Sequence, residues 1–302
     1  MAKKVSVGGQ AVIEGVMMKG EMNIATAVRK SDGEIAVEVE QFIPYTKRNR
    51  FFSLPVIRGF IALIESLVIG INALNKSAEY FEEEIEESRF EAWLKSVFKE
   101  KSKDVVNGII LIVALAAAVG LFFILPTFAA NILVLTGIKG AIQLNIFEGI
   151  IRVGIFLIYV YLIGRMEDIN RVFQYHGAEH KAIFCYENDM QLTPDNAKDF
   201  ARLHPRCGTN FMFLVMIVSI FVFSLTGWDS LMERIISRVV LLPVVAGLTY
   251  ELIKWMGRST SRLSKILSYP GLMLQKLTTR EPDIDQIEVA IAALKAAEGI
   301  VE

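Results

Sequence analysis

Cysteine and histidine are scarce in this chain of 302 residues: two cysteines, Cys185 and Cys207, and three histidines. Two cysteines are too few for the disulfide framework that staples small secreted domains. An excess of either charge is also missing. Lys and Arg total 32 against 33 Asp and Glu, a formal net charge of −1, so the basic footprint of a nucleic-acid binder is absent and no nucleic-acid partner is expected. The first residues, MAKKVSVGGQAVIEG, carry two lysines but no apolar run, so no cleavable signal peptide is read there.

Apolar residues are in excess. They make up 53% of the chain, with a mean hydropathy of +0.43, more than in ordinary soluble proteins. Charged residues still reach 22%, too many for membrane spans alone. Both figures hold if apolar and polar segments are separated along the chain. The expectation is a mainly α-helical integral membrane protein, partnered by the lipid bilayer, with a sizeable water-soluble part.

The longest uncharged stretch, 105–138, is too long for one span of a ~30 Å hydrocarbon core and too short for two. Pro126 predicts a span at about 105–125 followed by a broken or interfacial piece. A second span is read at about 146–164, where Glu148 and Arg152, one turn apart, can pair or face a bundle interior. The third, about 211–227, is free of charge, and the fourth, about 238–256, carries Pro243 and Glu251. Four transmembrane helices result. Residues 54–74, with Arg58 and Glu65, read instead as a helix lying at the interface or packed on the bundle. Lys95, Lys99, Lys101 and Lys103 precede the first span, Arg165, Arg171, Lys181, Lys198, Arg202 and Arg206 follow the second, and Lys254, Arg258, Arg262 and Lys265 follow the fourth. This bias places both termini and the 165–210 segment in the cytoplasm of a multi-pass protein of the cell (inner or plasma) membrane.

The remaining segments fall around these spans. Residues 1–50 read as a β-rich cytoplasmic region, in which IATAVRK and EIAVEVEQF alternate and are joined by Ser31-Asp32-Gly33, a hairpin signal. The preceding GGQAVIEGVMMKG lacks the Walker lysine-serine pattern, so its glycines are assigned to tight strand turns rather than to phosphate binding. Residues 51–104 hold interfacial and amphipathic helices, the second at about 79–103 with glutamates first and lysines toward the membrane. Residues 105–164 hold the first two spans, 165–210 a cytoplasmic loop, 211–256 the last two spans, and 257–302 a cytoplasmic tail whose helix at about 284–298 is opened by Asp283 and stopped by Gly299.

All three histidines, His176, His180 and His204, lie within 29 residues of the cytoplasmic loop, and Cys207 sits beside the last. In YHGAEHK, His176 and His180 are one helical turn apart, the spacing two ligands of one metal ion require. Glu179 holds the position of the catalytic glutamate in His-x-x-Glu-His and can serve as a base or as a ligand. In LHPRCGTN, Pro205 disfavours a regular helix and lets His204 and Cys207 turn inward together. Thr193-Pro194-Asp195 reads as the start of a short helix, about 194–203, that brings the chain back. His176, His180, His204 and Cys207 together can bind a divalent transition metal, zinc first. Cys185 reads as a packing residue, and the polar TTREP at 278–282, unexplained by packing, is a candidate part of the same site.

The stretches GGQAVIEGVMMKG (8–20), EGIIR (148–152), YHGAEHKAIFCYE (175–187), HPRCGT (204–209), LLPVVAGLTYE (241–251) and LTTREP with DIDQIEVAIAAL resemble the YqhQ-like family of bacterial membrane proteins, described as predicted metal-dependent enzymes. Asn210 stands where that family usually has serine. The resemblance implies a membrane protein with a metal site at His176, Glu179, His180, His204 and Cys207, and supplies no substrate.

Three functions follow. One is a membrane-bound metal-dependent hydrolase with Glu179 as general base and Arg206 or Arg280 steadying a developing anion, acting on a peptide, lipid or lipid-linked substrate. Another is a zinc-stabilised scaffold or assembly factor without catalysis. The third is a transporter, suggested by Glu148, Arg152 and Glu251, although four spans are few and no inverted halves are evident. A homo-oligomer is compatible with each.

Overall fold

The computed structural model describes residues 7–81, 102–134, 137, 140–226, 230–259 and 261–300, and residues 82–101 of the amphipathic helix read at 79–103 fall outside these. The chain is mostly helical, with one small sheet near its start. Strands β1 (Gly8–Val12), β2 (Gly15–Lys19), β3 (Asn23–Arg29) and β4 (Ile35–Gln41) form an antiparallel meander in the order β1-β2-β3-β4. The hairpin read across Ser31-Asp32-Gly33 is present, with Arg29 paired to Ile35. GGQAVIEGVMMK is a second hairpin, closing at Val12 opposite Gly15.

Alternation along β2 and β3 sends side chains to two buried faces. Val16, Met18, Ala25 and Ala27 pack on one side against Tyr175, Ala178, Ala182, Ile287, Ile291 and Leu294. Met17, Ile24 and Val28 pack on the other against Ala73 and Ile69. A strand buried on both faces reads as a near-continuous apolar run, as GVMM does. Each such fully buried Val or Met contributes about 1.5–3 kcal/mol of transfer free energy.

The helices follow in order: α1 (Tyr45–Arg48), α2 (Ile57–Glu79), α3 (Ser102–Val119), α4 (Leu125–Val134), α5 (Ala141–Ile163), α6 (Glu167–Glu187), α7 (Pro194–Ala197), α8 (Gly208–Ser224), α9 (Leu231–Met256), α10 (Arg262–Thr278) and α11 (Ile284–Glu298). Among the described residues, four stretches are long and apolar enough to cross a membrane: Ile57–Glu79, Ile112–Leu133, Ala141–Ile163 and Met232–Met256. Helix α8 is shorter at 17 residues, about 26 Å at ~1.5 Å per residue.

This set differs from the sequence expectation in that α8, over the span read at about 211–227, is too short to enter it, and in two further respects. The first is at Pro126, where no break occurs. A π turn, Gly120–Ile124, joins α3 to α4, and a π turn absorbs what an α-helical register cannot. Pro126 has no N–H for the carbonyl four residues back, that of Phe122; the Arg152 Nε on α5 donates to that oxygen instead, at 2.9 Å. The second is α2, which is long and apolar enough to span yet is tied down at both ends. Arg58 forms a bidentate pair with Glu251 near the end of α9, and the Ser77 hydroxyl accepts from the Ile13 N–H of the sheet at 3.2 Å. Between them, Glu65 is only 5% exposed, accepting from Lys19 at 3.3 Å and from the Tyr45 N–H at 2.8 Å.

Candidate metal centre

Helix α6 presents His176, His180 and Glu187 along one face, because residues four and eleven apart are close to whole turns. The chain then turns through α7, capped by the Thr193 hydroxyl, which accepts from the Asn196 N–H at 3.3 Å. The short helix read there is one turn long, and Lys181 fixes its return by donating to Lys198 O at 2.6 Å and Phe200 O at 2.9 Å. Cys207 is the N-cap of α8, its sulfur accepting from the Thr209 N–H at 3.4 Å.

These elements bring His176, His180 and Cys207 together, with their donor atoms all within 4.8 Å of one another. His176 Nε2 is 3.1 Å from Cys207 Sγ. The far nitrogen of each ring is held by a backbone carbonyl: His176 Nδ1 by Thr278 O at 2.8 Å, and His180 Nδ1 by Arg202 O. An Nδ1–H given to a carbonyl leaves the Nε2 lone pair free, the arrangement that orients a metal-ligating imidazole. Among the described residues, His180 Nε2 is buried without a hydrogen-bond partner. Two Nε2 atoms and one sulfur are a donor set that suits zinc, and the orphaned Nε2 is the atom such an ion would satisfy.

His204 is not one of these three clustered donors, although its ring centre lies 5.6 Å from that of His180. Its backbone is clamped by Gln275 of α10, which accepts from His204 N and donates to His204 O, both at 2.8 Å. Its Nε2 is 3.4 Å from Glu187 Oε2, and Glu187 also pairs with Arg206. Burial pushes His180 downward, and pushes His204 down to about 4, so both imidazoles are neutral at pH 7.

Glu179 is 5% exposed. Burial raises its carboxyl above the usual range, opposed by the nearby His176 and His204 and by the Gly9 N–H donated from β1. A Cβ on Gly9 would come within 2.9 Å of the Glu179 carboxyl carbon and 2.7 Å of Met17 O, so only glycine allows this approach. Strand β1 is held in register over the site by the turn after it, where Glu14 takes Arg171 bidentately and Tyr175 OH at 3.2 Å.

The TTREP segment closes the opposite side. A Cβ on Gly177 would lie 2.1 Å from Arg280 O, so the bare face of α6 is what lets the strap lie flat. Arg280 donates to Lys276 O, Leu277 O and Thr279 O, the carbonyls ending α10, and its guanidinium stacks 5.7 Å from the Phe173 ring. Lys181 pairs with Glu281 at 2.5 Å. Cys185 is buried, its thiol 3.5 Å from Gln191 O. Glu187 and Gln275 are parts of the centre that sequence reasoning did not single out, whereas Gly9 and Thr278 lie in the Gly-rich and TTREP segments that it did. For Glu187 the signal was present, eleven residues beyond His176 on the same helix face.

A cavity of about 560 Å³ adjoins the centre at Cys207 and Arg206 and runs between the end of α9 and α10, walled by Ile253, Met256 and Leu272 with Lys265 beside them.

The chain is 36% identical over 291 residues to Uncharacterized protein YqhQ of Bacillus subtilis (strain 168), covering 94% of this chain and 89% of that protein. No solved structure matches it. The profile of DUF1385, described as Protein of unknown function (DUF1385), matches residues 54–299. The chain belongs to the DUF1385 family.

Proposed function

We propose that this protein is a multi-pass membrane protein whose cytoplasmic face carries a metal-dependent hydrolytic site, with His176, His180 and Cys207 holding a divalent transition metal, zinc first. The observation that carries the reading is the pair of Nδ1 atoms spent on Thr278 O and Arg202 O, which leaves both Nε2 atoms for a shared ion beside Cys207. Three protein donors with His204 turned to Glu187 fit a catalytic site better than a closed structural one, because a catalytic ion keeps one position open.

A metal bound there supplies Lewis acidity that polarises a substrate carbonyl or phosphoryl oxygen. Glu179, buried beside the histidines, takes the proton of the attacking water and returns it to the leaving group; its raised affinity for a proton suits that task. Arg206 sits at the rim of the adjoining cavity, where a cation steadies an anion. The apolar walls with Lys265 and Arg206 favour an amphiphilic substrate, a lipid or lipid-linked compound, over a free peptide.

The membrane placement rests on the four apolar stretches and the positions of the basic residues. The sheet, α6 and α11 share one core, so all three lie on the same side of a membrane. Helix α2, tied to the sheet and to the end of α9, then lies along that side, and the spans are α3–α4, α5, α8 and α9.

A second reading is favoured by one observation: the site joins β1, α6, the 202–207 loop and the strap after α10. A metal that only pins these segments would make the protein a scaffold or assembly factor. Detergent-purified protein, free of chelator and polyhistidine tag, should contain about one metal per chain, the closed stoichiometry of such a site. Glu179→Gln should then keep the metal and lose turnover of a fluorogenic acyl ester or peptide. Retained turnover would rule out Glu179 as the base, and absence of metal after reconstitution would remove both readings.

A further inference from the structure

Helix α10 carries its side chains the opposite way from a helix that faces water. Ser264 and Gln275 are 3% and 0% exposed, whereas Leu263, Ile266 and Tyr269 are 56%, 67% and 59% exposed. The inward polar groups are satisfied: Gln275 clamps the His204 backbone, and the Ser264 hydroxyl donates to Ser259 O and Ser261 O. The outward residues follow one another at three-residue spacing and form one apolar patch, and a contiguous exposed patch marks a contact surface. The helix is not itself a span. With Arg262, Lys265, Gln275 and Lys276 in 17 residues, it is not among the helices apolar enough to cross a membrane.

The neighbours of α10 identify what meets that patch. Its first turns share cavity walls with Ile253 and Met256 at the end of α9. Further along, Gly271 lies against Asn210 in the first turn of α8. Near its end, Leu274 packs with Phe156 and Val160 in the last turns of α5. The helix therefore crosses the same-side ends of three of the proposed spans, the level at which acyl chains give way to headgroups. Charge points to the same partner. Between Glu251 and Glu281 there is no acidic residue, while Lys254, Arg258, Arg262, Lys265, Lys276 and Arg280 all fall there. Arg258, Arg262, Lys265 and Lys276 are exposed and form no ion pair among the described residues. Each basic residue near an anionic membrane surface tightens binding about five-fold, and long basic side chains reach headgroups from a helix whose apolar side is immersed. Lys265 and Tyr269, both exposed, also line the cavity that ends at Arg206 and Cys207, so the cavity opens on this side.

We propose that α10 lies in the plane of the membrane surface with Leu263, Ile266 and Tyr269 among the acyl chains, and that Arg258, Arg262 and Lys265 hold the phosphate of an anionic phospholipid at the opening of the cavity beside Cys207. The inference rests on the membrane placement given under the proposed function, and on neither the metal nor the hydrolysis.

Two measurements on the full-length protein test this. In nanodiscs of phosphatidylglycerol and phosphatidylcholine with brominated acyl chains, the fluorescence added by Ile266→Trp should be quenched. The same should hold for Ile150→Trp, at an exposed position in the middle of α5, and not for Asp195→Trp, at an exposed position of α7. An unquenched Ile266→Trp beside a quenched Ile150→Trp overturns the proposal, whether water or a second copy of the chain covers α10. An unquenched Ile150→Trp overturns the membrane placement, and this inference with it. In detergent, calorimetric titration should show dioctanoyl phosphatidylglycerol binding at least about ten-fold more tightly than dioctanoyl phosphatidylcholine. Arg262→Gln combined with Lys265→Gln, both at exposed positions, should abolish that preference with unchanged helical circular dichroism. Equal binding of the two lipids by the parent, or a preference that survives the double substitution, overturns the proposal.

Discussion

Gly9 of the first strand lies against Glu179 of the histidine helix so closely that a single added carbon would stand 2.9 Å from the carboxyl carbon. The contact joins residues 170 positions apart, and it makes the N-terminal sheet a wall of the candidate metal centre rather than a separate module.

Gly9→Ala should therefore strain β1 against both Met17 O and Glu179, destabilising by about 1–3 kcal/mol, the cost of overpacking a close contact. Gly8→Ala meets nothing within 4 Å and should stay within about 0.5 kcal/mol of the parent. Thermal unfolding of the two variants side by side checks the contrast.

The metal content of four variants should separate the histidines. His176→Ala, His180→Ala and Cys207→Ser should each lose stoichiometric metal, while His204→Ala, whose ring faces Glu187, should retain it. Inductively coupled plasma mass spectrometry of tag-free protein reads this directly. A His204→Ala protein without metal would move that histidine into the ligand set.

Zinc at about a hundred times its dissociation constant should stabilise the apoprotein by about 2.7 kcal/mol, since the ion binds the folded site. The shift should vanish in Cys207→Ser, which removes one of the three donors. Unfolding temperatures with chelator and then with zinc provide the measurement.

Glu148→Gln should cost about 3–5 kcal/mol, because it leaves Arg152 and Arg238 facing one another without their shared carboxylate. Glu251→Gln, at a partly exposed pair with Arg58, should cost about 1 kcal/mol or less. Denaturation in detergent micelles distinguishes the two.

Tags placed at either end should be digested only from the side on which α6 is exposed, because the sheet, α6 and α11 share their core. Protease protection in right-side-out and inverted vesicles tests this, and an end cut from the opposite side would contradict the arrangement.

Several features could be read from the sequence because their physics is local. Apolar runs mark the long helices, alternation and a turn mark the β3–β4 hairpin, and the His176–His180 spacing places two imidazoles on one face of a helix. Scarcity helped as well, since three histidines confined to one loop are hard to overlook. The break expected at Pro126 did not occur because its missing hydrogen bond was made good by Arg152, 30 residues from Phe122 in the chain.

The sequence by itself determined an apolar helical chain with a β-rich start and its histidines gathered within 29 residues. The tertiary structure alone decided that Thr278 and Arg202 carbonyls orient the imidazoles, that Gln275 clamps His204, that Gly9 reaches Glu179, and that α2 is tied at both ends. The reason is common to all of these. Each rests on a backbone group, a close approach or an ion pair between segments distant in sequence, and such contacts leave no periodic trace in either segment because they form only after both have folded.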